Sequence, residues 1–244
     1  MSLHPLTLRY LQRCFSSQPQ RGLSAVHLEL LKPEVVLSEK NRKSFVEKFK
    51  SPKTTQIQEN VSHASVLVPL CMHQGELGFL YTLRSTKINS NRGQVSFPGG
   101  MYDKEDRNLE ETALRETWEE LKIPRTKIDV WAAGNMIDKQ KIKVLPVFGY
   151  IGEINPEKLN VNKEEVGEAF FVSLRKLCDP SLCRYTQFRD GYSLPVYLGG
   201  KYRVWGFTGA ITHIVLNVLV PDVYNQQLVY LRNVTPEKEI SISR

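Results

Sequence analysis

The chain has 244 residues, 33 Lys and Arg against 26 Asp and Glu, a formal charge of +7, and 41% hydrophobic residues. That length suffices for one well-buried domain with appendages, and the composition excludes a disordered or fibrous protein. Four cysteines without a CxxC pair exclude a disulfide framework and fit a reducing interior.

Residues 1–28 contain Arg9, Arg13 and Arg21 and no acid, while Leu3, Leu6, Tyr10 and Phe15 can share one face of a helix. This acid-poor, amphipathic, Arg- and Ser-containing pattern reads as a mitochondrial transit peptide, with a plain N-terminal tail as the alternative. Without those residues the formal charge falls from +7 to +4, because three arginines leave and no acid does. The remaining excess is modest and argues against a nucleic-acid partner.

Residues 29–60 are an N-terminal appendage. Ser38 is placed to cap a helix across EKNRKSFVEKFK with Phe45 and Phe49 on one face, and Ser51 to Asn60 reads as a polar linker. A catalytic domain is expected over 61–220, followed by a tail over 221–244. Its first strands are Ala64–Met72 and Leu77–Ser85, joined at Gln74-Gly75. Their β-branched, largely apolar character suits strands covered on both faces. Arg84 and Arg92 then flank a polar loop that leads into a Phe-Pro-Gly-Gly turn ending at Gly100.

An acidic helix is expected next, capped by Asp106 and running to about Lys122, with Leu109, Thr112, Ala113, Thr117 and Leu121 on its less polar side. Glu116, Glu119 and Glu120 then stack along one side at i, i+3 and i+4. Neighbouring carboxylates repel by roughly 0.2–0.5 kcal/mol per pair in an isolated helix, so a compensating cation is expected. A hard divalent metal such as Mg²⁺ supplies it, and Arg115 lies four residues from both Glu111 and Glu119. Glu-rich helices also occur as plain solvated faces. The basic loop, the Pro-Gly-Gly corner and Arg-Glu-x-x-Glu-Glu at a fixed offset have no such structural need.

Two more strands are read in IDVWAAGN and KIKVLPVFGYIG, with Met136 to Gln140 as their connection, and Asn162, Glu164 and Glu165 fall in a loop before the apolar run 169–172. YSLPVYL and YRVWGF read as strands, and ITHIVLNVLV as an apolar helix with Ile211, Ile214, Val215 and Val218 on one side. His213 on that helix has no acid or cysteine at ligand spacing and reads as structural. No stretch approaches the roughly eighteen uninterrupted apolar residues of a membrane span. Oligomeric state leaves no signal in the sequence.

Residues 100–123 resemble the signature box of the Nudix hydrolases, G-x5-E-x7-R-E-U-x-E-E-x-G-U, with one residue inserted. LYTLRSTKINSNRGQVSFPGG before it resembles the motif of the coenzyme A diphosphatase branch, and NKEEVGEAFFVSL and YSLPVYLGGKYRVWGFTGAIT continue the likeness. The resemblance implies an α/β fold, a Nudix-type α/β/α sandwich around a mixed β-sheet. It implies metal-dependent hydrolysis of the diphosphate bond in coenzyme A and acyl-coenzyme A, with Mg²⁺ or Mn²⁺ as cofactor. Glu116 and Glu120 take the place of the principal metal ligands, Glu119 of a further one, and the Gly99 carbonyl of a possible one. Arg115 would hold the glutamates, and Asp106 takes the place of the box's first acid, shifted by the insertion. Glu165 is the candidate for a further acid near the metal or the attacking water, with Glu164 as runner-up. Arg84 and Arg92 would meet substrate phosphates, where guanidinium binds in a bidentate manner, or serve as ordinary surface charges.

The chain departs from the box at Lys122, where a Gly is usual, at Met101, where a Lys often stands, and at Asn91, where a His is frequent. Two other readings stay open. A Nudix enzyme could act on NADH, capped RNA or damaged nucleotides, and a coenzyme-binding module could have lost catalysis.

Overall fold

The computed structural model describes residues 22–51, 57, 60–87, 92–139, 141–187 and 193–224. Most of the transit-peptide segment, most of the expected linker, Asn91 and the tail beyond 224 lie outside the described residues.

Strand β1 (Ser62–His73) is the axis of the molecule. Gln74 and Gly75, with φ of 50° and 79°, fold it back into β2 (Glu76–Arg84). A two-residue turn with both φ positive carries a twist that matches the twist of its strands, and His73 pairs with Glu76 across it. On its other edge β1 runs parallel to β7 (Ile142–Glu153). Its first half pairs antiparallel with the short β4 (Gly99–Met101). β2 pairs with β3 (Val95–Ser96) and with β8 (Val166–Ser173), and β7 pairs with β5 (Asp129–Ala133). These strands belong to one mixed sheet of eight, as the sequence implies.

Two stretches differ from their sequence reading. Ile137–Lys139, expected as part of a connection, forms β6 and pairs with Ile142–Val144 of β7, so the turn between them is much tighter. YRVWGF is not a strand. Only Val204 bridges to Tyr197, and Gly206, at φ 61°, turns the chain out of extended backbone into a helix. Tyr197 itself closes a separate ribbon of β9 (Cys183–Gln187) and β10 (Ser193–Tyr197).

Alternation along the strands sends apolar side chains to both faces. Val68, Leu70, Phe79, Tyr81 and Phe148 enter one core, and Leu67, Cys71, Leu80, Leu145 and Val147 enter the other. The first core is roofed by the N-terminal helices and a late one. Short helices α1 (Ala25–Leu30) and α2 (Pro33–Val36) lead to α3 (Glu39–Phe49), which Ser38 caps as expected. Phe45 of α3 stacks on Phe49 and lies 4.3 Å, centroid to centroid, from Phe148. Arg42 grips Asp129 with two hydrogen bonds of 2.8 Å and covers the Trp131 ring, so the appendage is latched to β5.

After the second core helix α4 (Leu109–Leu121) and the short α5 (Leu174–Cys178), helix α6 (Gly206–Leu219) completes the first layer. α6 buries Ile211, Val215, Leu216 and Leu219; Ile214, expected on that face, is 39% exposed. His213 is structural. Its Nδ1 lies 2.9 Å from the Tyr224 hydroxyl, and burial lowers its pKa. Among the described residues no helix is long and apolar enough to cross a membrane.

Candidate metal centre and active site

Helix α4 closes the second core with Leu109, Ala113 and Leu121, and this docking decides which of its acids meet water. The helix starts two residues later than expected. Asn108 is the N-cap, accepting from the Glu111 N–H at 2.9 Å, because Asp106 is engaged elsewhere. At the other end Lys122 takes the left-handed conformation, φ 56° and ψ 28°, that the usual glycine adopts there, and its N–H donates to the Trp118 carbonyl at 2.9 Å. The departure from the box therefore leaves the helix end in place.

Asp106 is the buried anchor of Arg115. Its carboxylate accepts from Arg115 Nε at 2.9 Å and Nη2 at 3.0 Å, from the Thr112 hydroxyl at 2.8 Å and from the Asp103 N–H at 3.1 Å. Burial pushes its pKa up, but the donors, Arg115 first, outweigh burial and hold it below the ordinary carboxylate value. With its Nε side so fixed, Arg115 donates through Nη1 to Glu116 at 2.9 Å and to Glu119 at 3.0 Å, and through Nη2 to the Met101 carbonyl at 3.1 Å. Met101 contributes by its backbone, so the residue type there is free. Glu111 does not join this group; it is held by Arg107 and Arg125 on the outside of the helix.

The three stacked glutamates separate by depth. Glu120 is 3% exposed, the Glu116 side chain 15% and the Glu119 side chain 45%. Carboxylate oxygens of Glu116, Glu120 and Glu165 lie within 4.8 Å of one another. Glu119 is turned toward Arg115 and stands outside that group. Glu165 arrives from a loop hung on the helix. The Asn162 N–H donates to the Glu120 carbonyl at 2.8 Å, the Glu165 N–H to Asn162 at 3.1 Å, and the Ser85 N–H to Glu165 at 2.8 Å. Glu164, one residue away, points to solvent and pairs with Lys87 at 2.6 Å. Both Pro-Gly-Gly glycines make room. A Cβ on Gly100 would stand 2.5 Å from Glu116 Oε1, and one on Gly99 2.3 Å from the Ser65 carbonyl oxygen.

The group carries unbalanced negative charge. Burial first, then the charges of Glu116 and Glu165, push the Glu120 pKa up to about 8, against the pull of Arg84 and a backbone hydrogen bond from Gly99. Glu116 is likewise raised, chiefly by burial. Glu120 Oε2 is buried without a hydrogen-bond partner. Acceptor-only oxygens converging in this way, one of them orphaned, fit a hard dication that takes oxygen ligands.

Arg84 ends β2 beside these carboxylates, with its Nε buried and unpartnered. Arg92 stands across the loop, exposed, next to Gly93, whose N–H donates to the Arg84 carbonyl at 3.1 Å. One nearby cation escaped the sequence reading. Lys139 ends β6 with its ammonium 5.1 Å from the Phe207 ring centroid, in a stretch read as a connection. A cleft of about 470 Å³ opens along β8, but His73, Phe171 and Lys176 line it, and Glu116, Glu120 and Glu165 do not.

Comparison with known proteins agrees with this geometry. The NUDIX domain model matches residues 61–192. The chain is 40% identical over 181 residues to mitochondrial coenzyme A diphosphatase NUDT8 of Mus musculus, a match covering 72% of this chain and 86% of that protein. Identity to its Homo sapiens counterpart is 41% over 181 residues, covering 72% and 77%. Nudix hydrolase 3 of Caenorhabditis elegans is 33% identical over 199 residues, covering 74% and 82%.

Proposed function

The chain belongs to the NUDIX family of hydrolases, and from that premise we propose that it cleaves the diphosphate bond of coenzyme A and its thioesters. The products would be 4′-phosphopantetheine, or its acyl form, and adenosine 3′,5′-bisphosphate. The observation that carries the reading is the convergence of Glu116, Glu120 and Glu165 within 4.8 Å beside Arg84, in a chain 40% identical to a coenzyme A diphosphatase.

Glu116 and Glu120 would be the principal holders of the metal, Mg²⁺ or Mn²⁺, and the Gly99 carbonyl would supply a further oxygen. When bound, the cation would neutralise diphosphate charge and lower the pKa of a water molecule. Arg115 keeps the Glu116 carboxylate in place through its own anchor on Asp106, and through the same hand restrains Glu119 at the rim. Glu165, on a separate loop, takes the proton of the attacking water as its oxygen bonds to phosphorus and the bridging P–O bond breaks. Arg84, and Arg92 across the loop, offer donors to the oxygens of the diphosphate, whose charge must be balanced in the transition state.

We place the enzyme in mitochondria on two grounds, the acid-free arginine pattern of residues 1–28 and the mitochondrial relatives. A reporter fused to residues 1–28 should enter mitochondria, and a diffuse reporter refutes the assignment. For the reaction, mass spectrometry of products from coenzyme A, acyl-coenzyme A, NADH, capped RNA and nucleotides, with Mg²⁺ and Mn²⁺ compared, is decisive. Turnover of the coenzymes well above the rest supports the reading. Preferred turnover of another compound, or binding without turnover, defeats it.

A further inference from the structure

Two cations at one end of the sheet close no direct ion pair among the described residues. Arg84 Nε is buried without a hydrogen-bond partner, and among the described residues the guanidinium closes no ion pair. The Lys139 ammonium faces the Phe207 ring and likewise pairs with no described carboxylate; Asp138, its neighbour in sequence, leans toward Lys143 at 3.6 Å. The backbone holds the two close together. Arg84 donates its N–H to Gln94 at 2.9 Å, Leu83 pairs with Val95, and the Thr208 hydroxyl beside Phe207 donates to the Val95 carbonyl at 2.9 Å. β6 therefore brings Lys139 over the start of α6, and β2 brings Arg84 to the same place from the sheet.

Like charges set near one another cost free energy, offset at Arg84 by the carboxylates it also faces, and the β2, β3 and α6 framework holds the arrangement. Crowding by surrounding atoms, and then Arg84, hold the Lys139 pKa below its ordinary value, in keeping with this proximity. Arg84 also acts on Glu120, whereas Lys139 is not among the groups that shift Glu120 appreciably. The carboxylates stand on α4, in the layer over the second core, Lys139 stands over Phe207 of α6, in the layer over the first, and Arg84 ends β2 in the sheet between them. A diphosphate held at the carboxylates would meet Arg84 first. That leaves Lys139, on the other layer, for a further anion.

We propose that Lys139, backed by Phe207 and flanked by Arg84, forms a second anion subsite that takes a phosphomonoester of the substrate, namely the ribose 3′-phosphate of coenzyme A. This rests on the coenzyme reading above and adds to it a basis for choosing between coenzymes with and without that group. Lys139 is a substrate-binding residue, distant from the bond that breaks.

The test compares wild type, Lys139→Ala, Lys139→Arg and the control Lys143→Ala, on coenzyme A and on dephospho-coenzyme A, which lacks the 3′-phosphate. Losing one charge-assisted contact should lower kcat/KM for coenzyme A by about ten-fold in Lys139→Ala, through KM, and leave dephospho-coenzyme A within about two-fold. Lys139→Arg should recover most of the loss, and Lys143→Ala should match wild type. In parallel, titration of the metal-free protein with adenosine 3′,5′-bisphosphate and with adenosine 5′-monophosphate should show tighter binding of the bisphosphate, a margin that Lys139→Ala removes. Equal losses on both coenzymes, which would assign Lys139 to the diphosphate, or no loss on either, overturn the subsite. If wild type hydrolyses neither coenzyme, the proposed function fails, and the titration alone judges the subsite. An unchanged margin in Lys139→Ala then overturns it as well.

Discussion

Helix α4 carries two acid–arginine networks that share composition and differ in every physical respect. On its outer face Glu111 accepts from Arg107 at 2.8 and 2.9 Å and from Arg125 at 3.1 Å, and these donors, Arg107 first, pull its pKa down to about 2. On its inner face Glu120, nine residues on, has no guanidinium in direct contact, and burial drives it up to about 8. Two glutamates of one helix thus differ widely in proton affinity because one is solvated and doubly paired and the other is buried among its own kind. The outer network is satisfied by the protein itself. The inner one is left in deficit, and a deficit of positive charge is what a metal site consists of before the metal binds.

The sharpest way to break this contrast is to remove the inner charge. Glu120→Gln and Glu116→Gln keep nearly the same shape and an acceptor oxygen, and should fold normally while kcat at saturating Mg²⁺ falls ~10²-fold or more. Near wild-type turnover in both, on protein shown folded by circular dichroism, would reduce the inner face to a solvated one.

Arg115→Met comes next, since it leaves Asp106 buried and unpaired. Breaking a buried pair from one side costs about 3–5 kcal/mol, and because Arg115 is partly solvated the low end of that range is expected, read as a lower urea midpoint. Activity should fall too, as Glu116 loses its guide. A variant as stable as wild type would mean that Asp106 is satisfied by Thr112 and the Asp103 N–H alone.

Proton linkage sharpens the contrast without a large loss. Burial and its neighbours push the Glu120 pKa up to about 8, against the 4.5 of a free carboxyl, so folding favours its protonated form. The metal-free protein should therefore hold this contribution below pH 4.5 and lose it as pH rises toward 8, seen as a falling Tm across that window. Glu120→Gln should flatten that fall, and Mg²⁺ should reverse it in wild type. A Tm that rises over the same window in the metal-free protein would contradict the buried-acid picture. The smallest effect belongs to the outer network. The Glu111 pKa is depressed, so its contribution is present above the free-carboxyl value of 4.5 and fades only as pH falls toward 2. Glu111→Gln should leave kcat unchanged and shift Tm only slightly, because exposed pairs contribute little. A large loss of activity there would erase the distinction between the two faces.

Much of this was legible in the residues. Apolar strands on both sides of Gln74-Gly75, the Ser38 cap, the Pro-Gly-Gly corner and the Arg115 to Glu120 spacing are local patterns, and local backbone preferences determine them. The resemblance to the Nudix box rested on the same local spacing. What spacing could not decide was depth and partnership. Glu116, Glu119 and Glu120 look equivalent on a helical projection, yet only docking against Leu67 and Leu80 buries Glu120 and leaves Glu119 at the rim. Glu165 and Glu164 are adjacent and chemically alike. The hydrogen bond from Asn162 to Glu120, 42 positions away in the chain, turns one inward and frees the other to reach Lys87. Lys139 gave no sign at all, because its place over Phe207 depends on a short strand that forms only by pairing with β7. The sequence by itself determined which residues could do metal chemistry; burial and contacts between distant segments decided which of them face one another, since desolvation and unmet charge exist only once the layers have closed.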